Sequence, residues 1–419
     1  MRRPSISLAV AVCLIAGAMV AVAPPAGAAA RWSAVPSPRL PGYGQVLLNG
    51  VSCPSTTNCF AVGWDNSSNG PAIDKALAEH WNGHTWSIMI SPKPTGSPGD
   101  ANLNGVSCPS TTSCFAVGNT QSGHAPNAFS TLVEHWNGRS WSIMTSPNPR
   151  GSGTPNSYLD AVSCRTTTSC FAVGFSVFHG WNTLVEHWNG HSWSIMPSPN
   201  PPGFQYHRLR GVSCPSTSSC YAAGFSQHVG NSGPSTVKAL VEHWNGHTWS
   251  AVTRPTPAGT DDWSLGAVSC SSTASCVAVG YYWVGGAAYA VGAVEKSLVE
   301  HWDGHTWSIL TSPDPTRATR SALGGVSCPT PARCFAVGAF DRDVSLGGLR
   351  VGTVEKTLVE QWNGHTWSIM TSPDPTQSGG FATLVLNGVS CHRTTSCFAV
   401  GEYATQNADG RATLIERYR

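Results

Sequence analysis

The sequence predicts an all-β fold, a closed ring of seven four-stranded blades. Three observations predict it: one unit is repeated seven times, each copy holds four short strand-like segments, and the copies are offset circularly at the two chain ends. A repeat period in the fifties is typical of stacked units or propeller blades. We therefore predict one domain, a seven-bladed β-propeller over residues 31–419, with copies that begin near residues 48, 103, 159, 209, 265, 323 and 386.

Each copy contains the same four segments in the same order. The first ends in Val-Ser-Cys, the second is Cys-Phe-Ala-Val-Gly, the third is Leu-Val-Glu-His-Trp and the fourth is Thr-Trp-Ser-Ile-Met. Apolar, aromatic and β-branched residues between clusters of Gly, Pro, Ser and Asn predict strands. No segment has a sustained helical period.

An Asn-Gly pair connects the third and fourth segments of most copies. This pair favours a two-residue type I′ hairpin turn, because both central residues of that turn need positive φ. In the first copy such a turn places Trp81 opposite His84 and Glu79 opposite Trp86.

The chain ends distinguish a closed ring from an open array. The last copy stops after its third segment, Leu414–Arg419, and the missing fourth segment is at the other terminus, Arg31–Pro36. Pairing of the N-terminal strand into the last blade would close the ring and leave only short, protected edges. An open array would instead have atypical capping units.

Fourteen of the 15 cysteines form seven pairs, each separated by five residues. Facing positions of an antiparallel pair lie at a Cα separation that a disulfide can bridge, and an even cysteine count in an exported chain indicates disulfides. Zinc binding is the alternative, but zinc usually takes four ligands from convergent pairs. The predicted disulfides are Cys53–Cys59, Cys108–Cys114, Cys164–Cys170, Cys214–Cys220, Cys270–Cys276, Cys328–Cys334 and Cys391–Cys397.

The Ala-Val-Gly segment followed by an Asn-Gly-x-Thr-Trp hairpin is similar to the BNR/Asp-box repeats of sialidase-like and photosystem-assembly-factor propellers. Residues His80–Trp86 keep the Gly-x-Thr-Trp part of the Ser-x-Asp-x-Gly-x-Thr-Trp pattern and lack its leading Asp. The whole unit, with its Cys-x5-Cys hairpin, resembles a group of secreted bacterial repeat proteins of mostly unassigned function. The resemblance covers about residues 31–419 and implies a propeller fold, without fixing an activity.

Residues 1–30 are typical of a secretory signal peptide. Arg2 and Arg3 precede an apolar run from Leu8 to Ala23, and small residues follow, which predicts cleavage between Ala28 and Ala30. An uncleaved anchor is the alternative, but the run is short for a membrane span. We expect a secreted protein with no membrane span after cleavage.

Features that recur in all copies are expected to be structural. The repeated Trp should pack between blades, and the Glu of each third segment should accept hydrogen bonds from a Trp N–H or from backbone donors. The repeated His are not expected to bind metal, since outer strands of different blades lie too far apart. We predict neither a metal nor a cofactor.

A single binding site requires residues that differ between the seven copies. The copies differ most in the loop between the second and third segments. Between the Gly of Ala-Val-Gly and the next conserved Leu this loop has 13, 13, 9, 15, 17, 19 and 12 residues. Loops on a rigid scaffold commonly carry recognition. Aromatic residues there could stack on sugars or hold peptide side chains, with packing between blades as the alternative; these candidate ligand-binding residues are Trp64, Phe175, Trp181, Phe225, Tyr281, Tyr282, Trp283 and Tyr289.

Four lysines close to the same loops could form a binding rim or a solvated strand edge: Lys75, Lys238, Lys296 and Lys356.

Composition and motifs limit the function classes. The net charge is only +2 and no basic block occurs, which argues against nucleic acid as a partner. We expect a monomer that binds an extracellular glycan or protein without catalysis. A glycoside hydrolase or lyase of sialidase-like type and a structural exported protein without a ligand are the alternatives. No motif assigns a catalytic residue; single-copy candidates for a hydrolase are Asp261, Asp262, Asp341, Asp343, Glu402, Arg208, Arg210, Arg342 and Arg350.

Overall fold

A computed structural model describes residues 30–419 except 39–43, 67–72, 95–98, 122–127, 150–155, 178–179, 231–234, 261, 287, 289, 291, 347–348, 374–382 and 405–409. The predicted export segment, Tyr289 and Asp261 lie outside the described residues. The described residues contain strands and no helix, and hence no helix long and apolar enough to cross a membrane.

The strands in chain order are β1 (Trp32–Ala34), β2 (Val46–Ser55), β3 (Asn58–Asp65), β4 (Lys75–Trp81), β5 (Trp86–Met89), β6 (Ala101–Ser110), β7 (Ser113–Gln121), β8 (Phe129–Trp136), β9 (Trp141–Met144), β10 (Asn156–Thr166), β11 (Ser169–Val177), β12 (Trp181–Trp188), β13 (Trp193–Met196), β14 (Tyr206–Ser216), β15 (Ser219–His228), β16 (Thr236–Trp244), β17 (Trp249–Ala251), β18 (Trp263–Ser272), β19 (Ser275–Val284), β20 (Val294–Trp302), β21 (Trp307–Leu310), β22 (Ala318–Thr330), β23 (Arg333–Leu346), β24 (Leu349–Trp362), β25 (Trp367–Ile369), β26 (Leu384–Arg393), β27 (Ser396–Ala404) and β28 (Arg411–Tyr418).

These strands form seven antiparallel blades, which confirms the predicted fold class. Blades 1 to 6 take four consecutive strands each, from β2–β5 to β22–β25, and blade 7 combines β26–β28 with β1. Trp32 lies opposite Tyr418 in this last sheet, so the N-terminal strand completes the C-terminal blade as predicted. Blades 3 and 4 are additionally joined by one parallel pairing between Trp181 and Tyr206.

The serine of each Val-Ser-Cys motif links neighbouring blades around the ring. The Cys108 N–H donates to Ser52 Oγ at 3.0 Å, and the same bond recurs at every blade boundary, including Cys53 to Ser390 where the ring closes. Each bond satisfies a backbone donor that its own sheet leaves unpaired. This explains why the serine is present in all seven copies.

Aromatic packing fills the space between blades. The fourth-strand Trp86 of blade 1 lies edge-on to Phe398 of blade 7, with ring centroids 5.3 Å apart, and equivalent Trp–Phe pairs recur around the ring. The fifth copy has Val277 in place of the Phe, and there Trp367 packs in one apolar cluster with this Val. The repeated Trp are therefore structural, as predicted.

All seven predicted disulfides are present. Each joins the first and second strands of one blade; Cys164 and Cys170, for example, are direct cross-strand neighbours. Disulfides of this number indicate an oxidising environment.

The predicted turn between the third and fourth strands is wrong. Trp81 lies opposite Trp86 and Glu79 opposite Ile88, so the loop contains four residues instead of two. Asn82 has no positive φ; instead its side-chain oxygen accepts the N–H groups of His84 and Thr85, both at 2.9 Å. A side-chain cap of this kind replaces the type I′ turn and shifts the register.

The repeated Glu is buried at the boundary between blades, and its donor differs from the predicted one. In six blades it accepts from the serine of the preceding Ser-Pro segment, and in blade 5 an ion pair between Arg254 and Glu300 takes the place of that bond, with N···O 3.1 Å. The fourth-strand Trp N–H groups reach no acceptor among the described residues. The serine pairs are Ser37–Glu79, Ser91–Glu134, Ser146–Glu186, Ser198–Glu242, Ser312–Glu360 and Ser372–Glu416.

Every innermost strand carries a bulge that explains the invariant Gly of Ala-Val-Gly. In blade 5 the register shifts between Leu265 and Ala267, and Gly280 lies opposite Leu265. A Cβ on Gly280 would overlap the carbonyl oxygen of Ser264, and the same holds for the equivalent Gly of every blade. Only glycine lets the second strand approach the bulged backbone.

We expect Gly280→Ala to lower the free energy of unfolding by about 3 kcal/mol, because the bulged strand must move away. Urea denaturation with intact disulfides measures the change. Gly324→Ala is the control, since a Cβ there meets no atom closer than 3.7 Å. Equal effects of the two substitutions would contradict the role of the bulge.

Candidate functional site

The variable face carries the start of the first strand, the end of the second and the start of the third strand of each blade. One cross-strand row defines it: in blade 3, Tyr158 lies opposite Phe175, which lies opposite Thr183. The predicted residues Trp64, Phe225 and Tyr281 hold the position of Phe175 in other blades. Because they lie on different blades, the structure does not bring them together as one set.

The predicted aromatics differ in their surroundings. Trp283 and Phe225 are both buried. Tyr282 packs against the apolar cluster between blades 4 and 5. Trp64 and Tyr281 are partly exposed in blades 1 and 5. Packing between blades, the alternative reading, therefore accounts for Tyr282.

A continuous series of aromatic rings, which we call the aromatic row, runs from blade 2 across blade 3 to blade 4: Phe129, Tyr158, Phe175, Trp181 and Tyr206. Phe175 is buried and stacked between Tyr158 and Trp181, with both centroid distances 4.7 Å. Phe129 lies 5.5 Å from Tyr158, and Tyr206 meets Trp181 edge-on at 5.3 Å. The other four rings are partly exposed, so the row offers aromatic surface to a ligand.

The row is accessible because the connection above it is short. Only residues 178–180 separate Val177 of β11 from Trp181 of β12. Counted in the sequence from Gly174 to Leu184, this connection has nine residues, the fewest of the seven copies. In blade 6 the two strands are longer, and only residues 347–348 lie between them. The smallest loop length read from the sequence thus belongs to the blade that supplies Tyr158, Phe175 and Trp181.

A bidentate ion pair borders the aromatic row. Arg208 donates from Nε and Nη2 to the two carboxylate oxygens of Asp160 at 2.6 and 2.9 Å. Its guanidinium carbon lies 4.8 Å from the centre of the Phe175 ring. Planar pairing fixes the guanidinium in one orientation above the ring. Burial raises the pKa of Tyr158, which the nearby Arg208 opposes.

Arg210 occupies the bulge of the same inner strand. Its guanidinium carbon lies 4.9 Å from the centre of the Phe225 ring. Burial and the proximity of Arg208 lower its pKa, while Tyr281 and Asp160 oppose the change. Its Nε is buried and has no acceptor among the described residues.

A second charged group, the acidic group, lies on blades 5 to 7 of the same face: Glu295, Asp341, Glu355 and Glu402 with Arg320 and Arg411. Arg320 bridges Glu295 and Asp341, with N···O 3.5 Å to each. Arg411 pairs with Glu402 at 2.6 Å. Burial is the main cause that raises the pKa of Glu295 to about 7.

Asp262, a candidate for catalysis, is structural. It is buried, and its two oxygens accept the backbone N–H groups of Val237 and Ala288 at 2.7 and 3.0 Å. Both oxygens thereby anchor loops, and the carboxylate is buried away from any substrate that it would have to reach for proton transfer. Arg342 is exposed, and the side chain of Arg350 is outside the described atoms.

Two of the four lysines contact their own scaffold. Lys238 Nζ lies 4.2 Å from the centre of the Trp263 ring, and Lys296 pairs with Asp314 at 3.7 Å. A cavity of about 320 Å³ lies elsewhere, between outer strands of blades 3 and 4, and another of about 230 Å³ is lined mainly by blade 6 and by Leu384 of blade 7. Neither is lined by a residue of the aromatic row.

Sequence reasoning missed Phe129, Tyr158, Asp160 and Tyr206. The signal lies in the inner strands: the residue before the buried Leu differs in every copy, although the rest of the strand barely varies. In copy order these residues are Leu47, Asn102, Tyr158, Arg208, Ser264, Ala322 and Val385.

Comparisons with known proteins show distant similarity of fold only. No protein-family model and no curated protein matches the chain at a significant level. A protein of unknown function from Dyadobacter fermentans is 10% identical over 93% of this chain and 98% of its own, with a TM-score of 0.47. The six-bladed fucose-binding lectin of Aleuria aurantia is 16% identical over 81% of this chain and 100% of its own, with a TM-score of 0.44. The GH93 α-L-arabinofuranosidase of Fusarium graminearum is 12% identical over 79% of this chain and 96% of its own, with a TM-score of 0.45.

Proposed function

We propose that this protein is a secreted, non-enzymatic glycan-binding protein whose ligand lies along the aromatic row, which is centred on blade 3. The observation that carries the proposal is the group of four partly exposed rings around buried Phe175. Flat aromatic faces carry partial negative charge and attract the polarised C–H groups of a sugar ring. Arg208 and Asp160 add fixed polar groups that can orient hydroxyls.

Export accords with the signal-like residues 1–30 and with seven disulfides. The aromatic row is an open surface, which suits part of an extended glycan chain better than a small enclosed ligand. Because the rings are held by strands instead of loops, the surface is preorganised and little ordering entropy opposes binding.

Trp181→Ala is the direct test. We expect it to weaken glycan binding tenfold or more, because a central stacked aromatic commonly contributes about 1 to 2 kcal/mol or more to binding. A glycan panel identifies a ligand, and calorimetry then compares the affinities. Trp64→Ala is the matched control, a partly exposed aromatic of the same face on blade 1, and it should bind as the unchanged protein does.

The proposal would be contradicted if both variants lost glycan affinity equally, or if the unchanged protein bound no glycan at all. Absence of any ligand would favour a purely structural exported protein.

A glycoside hydrolase is the second candidate, favoured by Glu295. A buried carboxyl with a pKa near 7 can act as a general acid at neutral pH. Release of reducing sugar that Glu295→Gln abolishes would support it. Binding without turnover, retained in Glu295→Gln, would support the binding protein.

A further inference from the structure

We propose that the glycan bound at the aromatic row is acidic, and that its carboxylate or sulfate group pairs with Arg210 in the bulge of the inner strand β14. The proposal rests on the proposed function, because it names the chemical class of the ligand for the same face.

The charges beside the aromatic row do not balance. Two guanidinium groups, Arg208 and Arg210, lie near one carboxylate, Asp160, and both oxygens of this carboxylate bind Arg208. None of the described carboxylates forms an ion pair with Arg210. Arginine keeps its charge in proteins, and a partly buried charge without a counter-ion is unfavourable. An anion supplied by the ligand would compensate both the burial and the repulsion by Arg208.

The inner-strand bulges leave space for such an anion. In blades 1, 2 and 7 the bulge residue is Asn, which reaches across to a carbonyl of the next blade; Asn49 Nδ2 donates to Leu103 O at 2.9 Å. In blades 5 and 6 the same position is Gly266 and Gly324, which have no side chain. A Cβ added to Gly324 would meet no atom closer than 3.7 Å, and one added to Gly266 would meet Leu323 O at 3.3 Å. The bulges of blades 5 and 6 therefore carry no side chain at the position that Arg210 occupies in blade 4.

The acidic group on blades 5 to 7 sets the orientation of the ligand. It holds four carboxylates against the two guanidinium groups of Arg320 and Arg411. This side repels an anionic sugar, whereas Arg210 attracts it. The negative group of the ligand should thus point to blade 4, with its sugar rings over blade 3.

Calorimetry with matched tetrasaccharides tests the proposal. The probes are unsulfated chondroitin, which carries carboxylates only, neocarratetraose sulfate, which carries sulfates only, and neutral cellotetraose. We expect at least one acidic probe to bind tenfold or more tightly than the neutral one, with the preference reduced at high salt. The acidic probe that binds more tightly shows whether Arg210 pairs with a carboxylate or with a sulfate.

Two variants assign the preference to Arg210. Arg210→Met should abolish the acidic preference and keep the affinity for the neutral probe, whereas Arg342→Met, which removes an exposed charge on blade 6, should change neither. The melting temperature of the unliganded protein is a second readout: Arg210→Met should raise it, because an unpaired buried charge is removed, and Arg208→Met should lower it by leaving Asp160 unpaired.

Equal affinity for acidic and neutral probes, or a lower melting temperature in Arg210→Met, would overturn this proposal and leave the proposed glycan binding intact. Failure of every glycan on the panel, with Trp181→Ala indistinguishable from the unchanged protein, would instead remove the proposed function itself.

Discussion

Deletion of residues 31–38 is expected to destabilise the chain more than any single substitution, and addition of the same strand after β28 is expected to restore stability. The segment completes blade 7: Arg31 and Arg419 exchange backbone hydrogen bonds at 3.1 and 3.4 Å, and the Val35 N–H donates to Ile415 O at 2.8 Å. Without it, β28 becomes an unpaired sheet edge.

The deletion also removes contacts between blades. Trp32 is buried between Phe335 and Tyr418, with ring centroids at 5.8 and 5.5 Å. Truncation of a buried Trp alone costs about 3 to 5 kcal/mol. The Ser37 hydroxyl also forms hydrogen bonds with Glu79 of blade 1 and Thr413 of blade 7. The deletion therefore removes a hydrogen-bonded link between the first and last blades.

A circular permutant is the matched control for this deletion. In blade 1, residues 82–85, Asn-Gly-His-Thr, connect Trp81 to Trp86. The same four residues placed after Tyr418, followed by residues 32–38, would build blade 7 from one continuous segment. Urea denaturation should give the permutant a midpoint near that of the unchanged protein. A stable deletion variant, or a permutant as unstable as the deletion, would contradict closure by β1.

The fold was predictable because its determinants are local and repeated. Cysteine spacing, strand motifs and the circular offset of the ends were sufficient for the blades, the disulfides and the pairing of the N-terminal strand into the last blade. The hairpin register was not, since an Asn-Gly pair is compatible both with a backbone turn and with the cap that the Asn82 side chain forms. The bulges were also missed, although the invariant Gly280 position records them.

The candidate site was predictable only in part, because it joins residues of different blades. Phe175 and Trp181 follow from one loop, but Asp160 and Arg208 are 48 residues apart and meet only through the ring. Their sequence signal is variation within an otherwise constant inner strand. Repeated residues maintain the scaffold, so asymmetric residues are where a single binding site should be sought.

Glu242→Gln is expected to raise the free energy of unfolding at pH 8.5 by roughly 2 to 4 kcal/mol and to leave it unchanged at pH 5. Glu242 is fully buried, and its one hydrogen-bond donor is Ser198 at 2.7 Å. Burial raises its pKa from 4.5 to about 8, which the Ser198 bond opposes. The amide of Gln resembles the protonated acid in shape and carries no charge.

The sign of the pH dependence follows from proton binding. Between pH 4.5 and 8 the folded protein keeps a proton that the unfolded chain has released, so stability falls as the pH rises through this window. The stability that depends on these buried Glu side chains is highest below pH 4.5 and lowest above about pH 8. Six serine-bonded Glu contribute in the same direction, with pKa values of about 7 for Glu79 and Glu134 and about 8 for Glu186, Glu242, Glu360 and Glu416.

Blade 5, the one blade whose repeated Glu is not bonded to a serine, supplies a control of opposite sign. Glu300 is buried against Arg254, whose side chain is 9% exposed, so Glu300→Gln leaves a buried guanidinium without its counter-charge. Burial raises the pKa of Glu300 to about 7, which Arg254 opposes, so the counter-charge is present at pH 8.5. At that pH this substitution should lower the free energy of unfolding by about 3 to 5 kcal/mol. Urea titrations of both variants at pH 5 and 8.5 separate the two cases. If Glu242→Gln destabilised the protein at pH 8.5 as Glu300→Gln does, the buried Glu242 would have to be an ionised, stabilising group, and the ring of blade boundaries would be held by charge instead of by neutral hydrogen bonds.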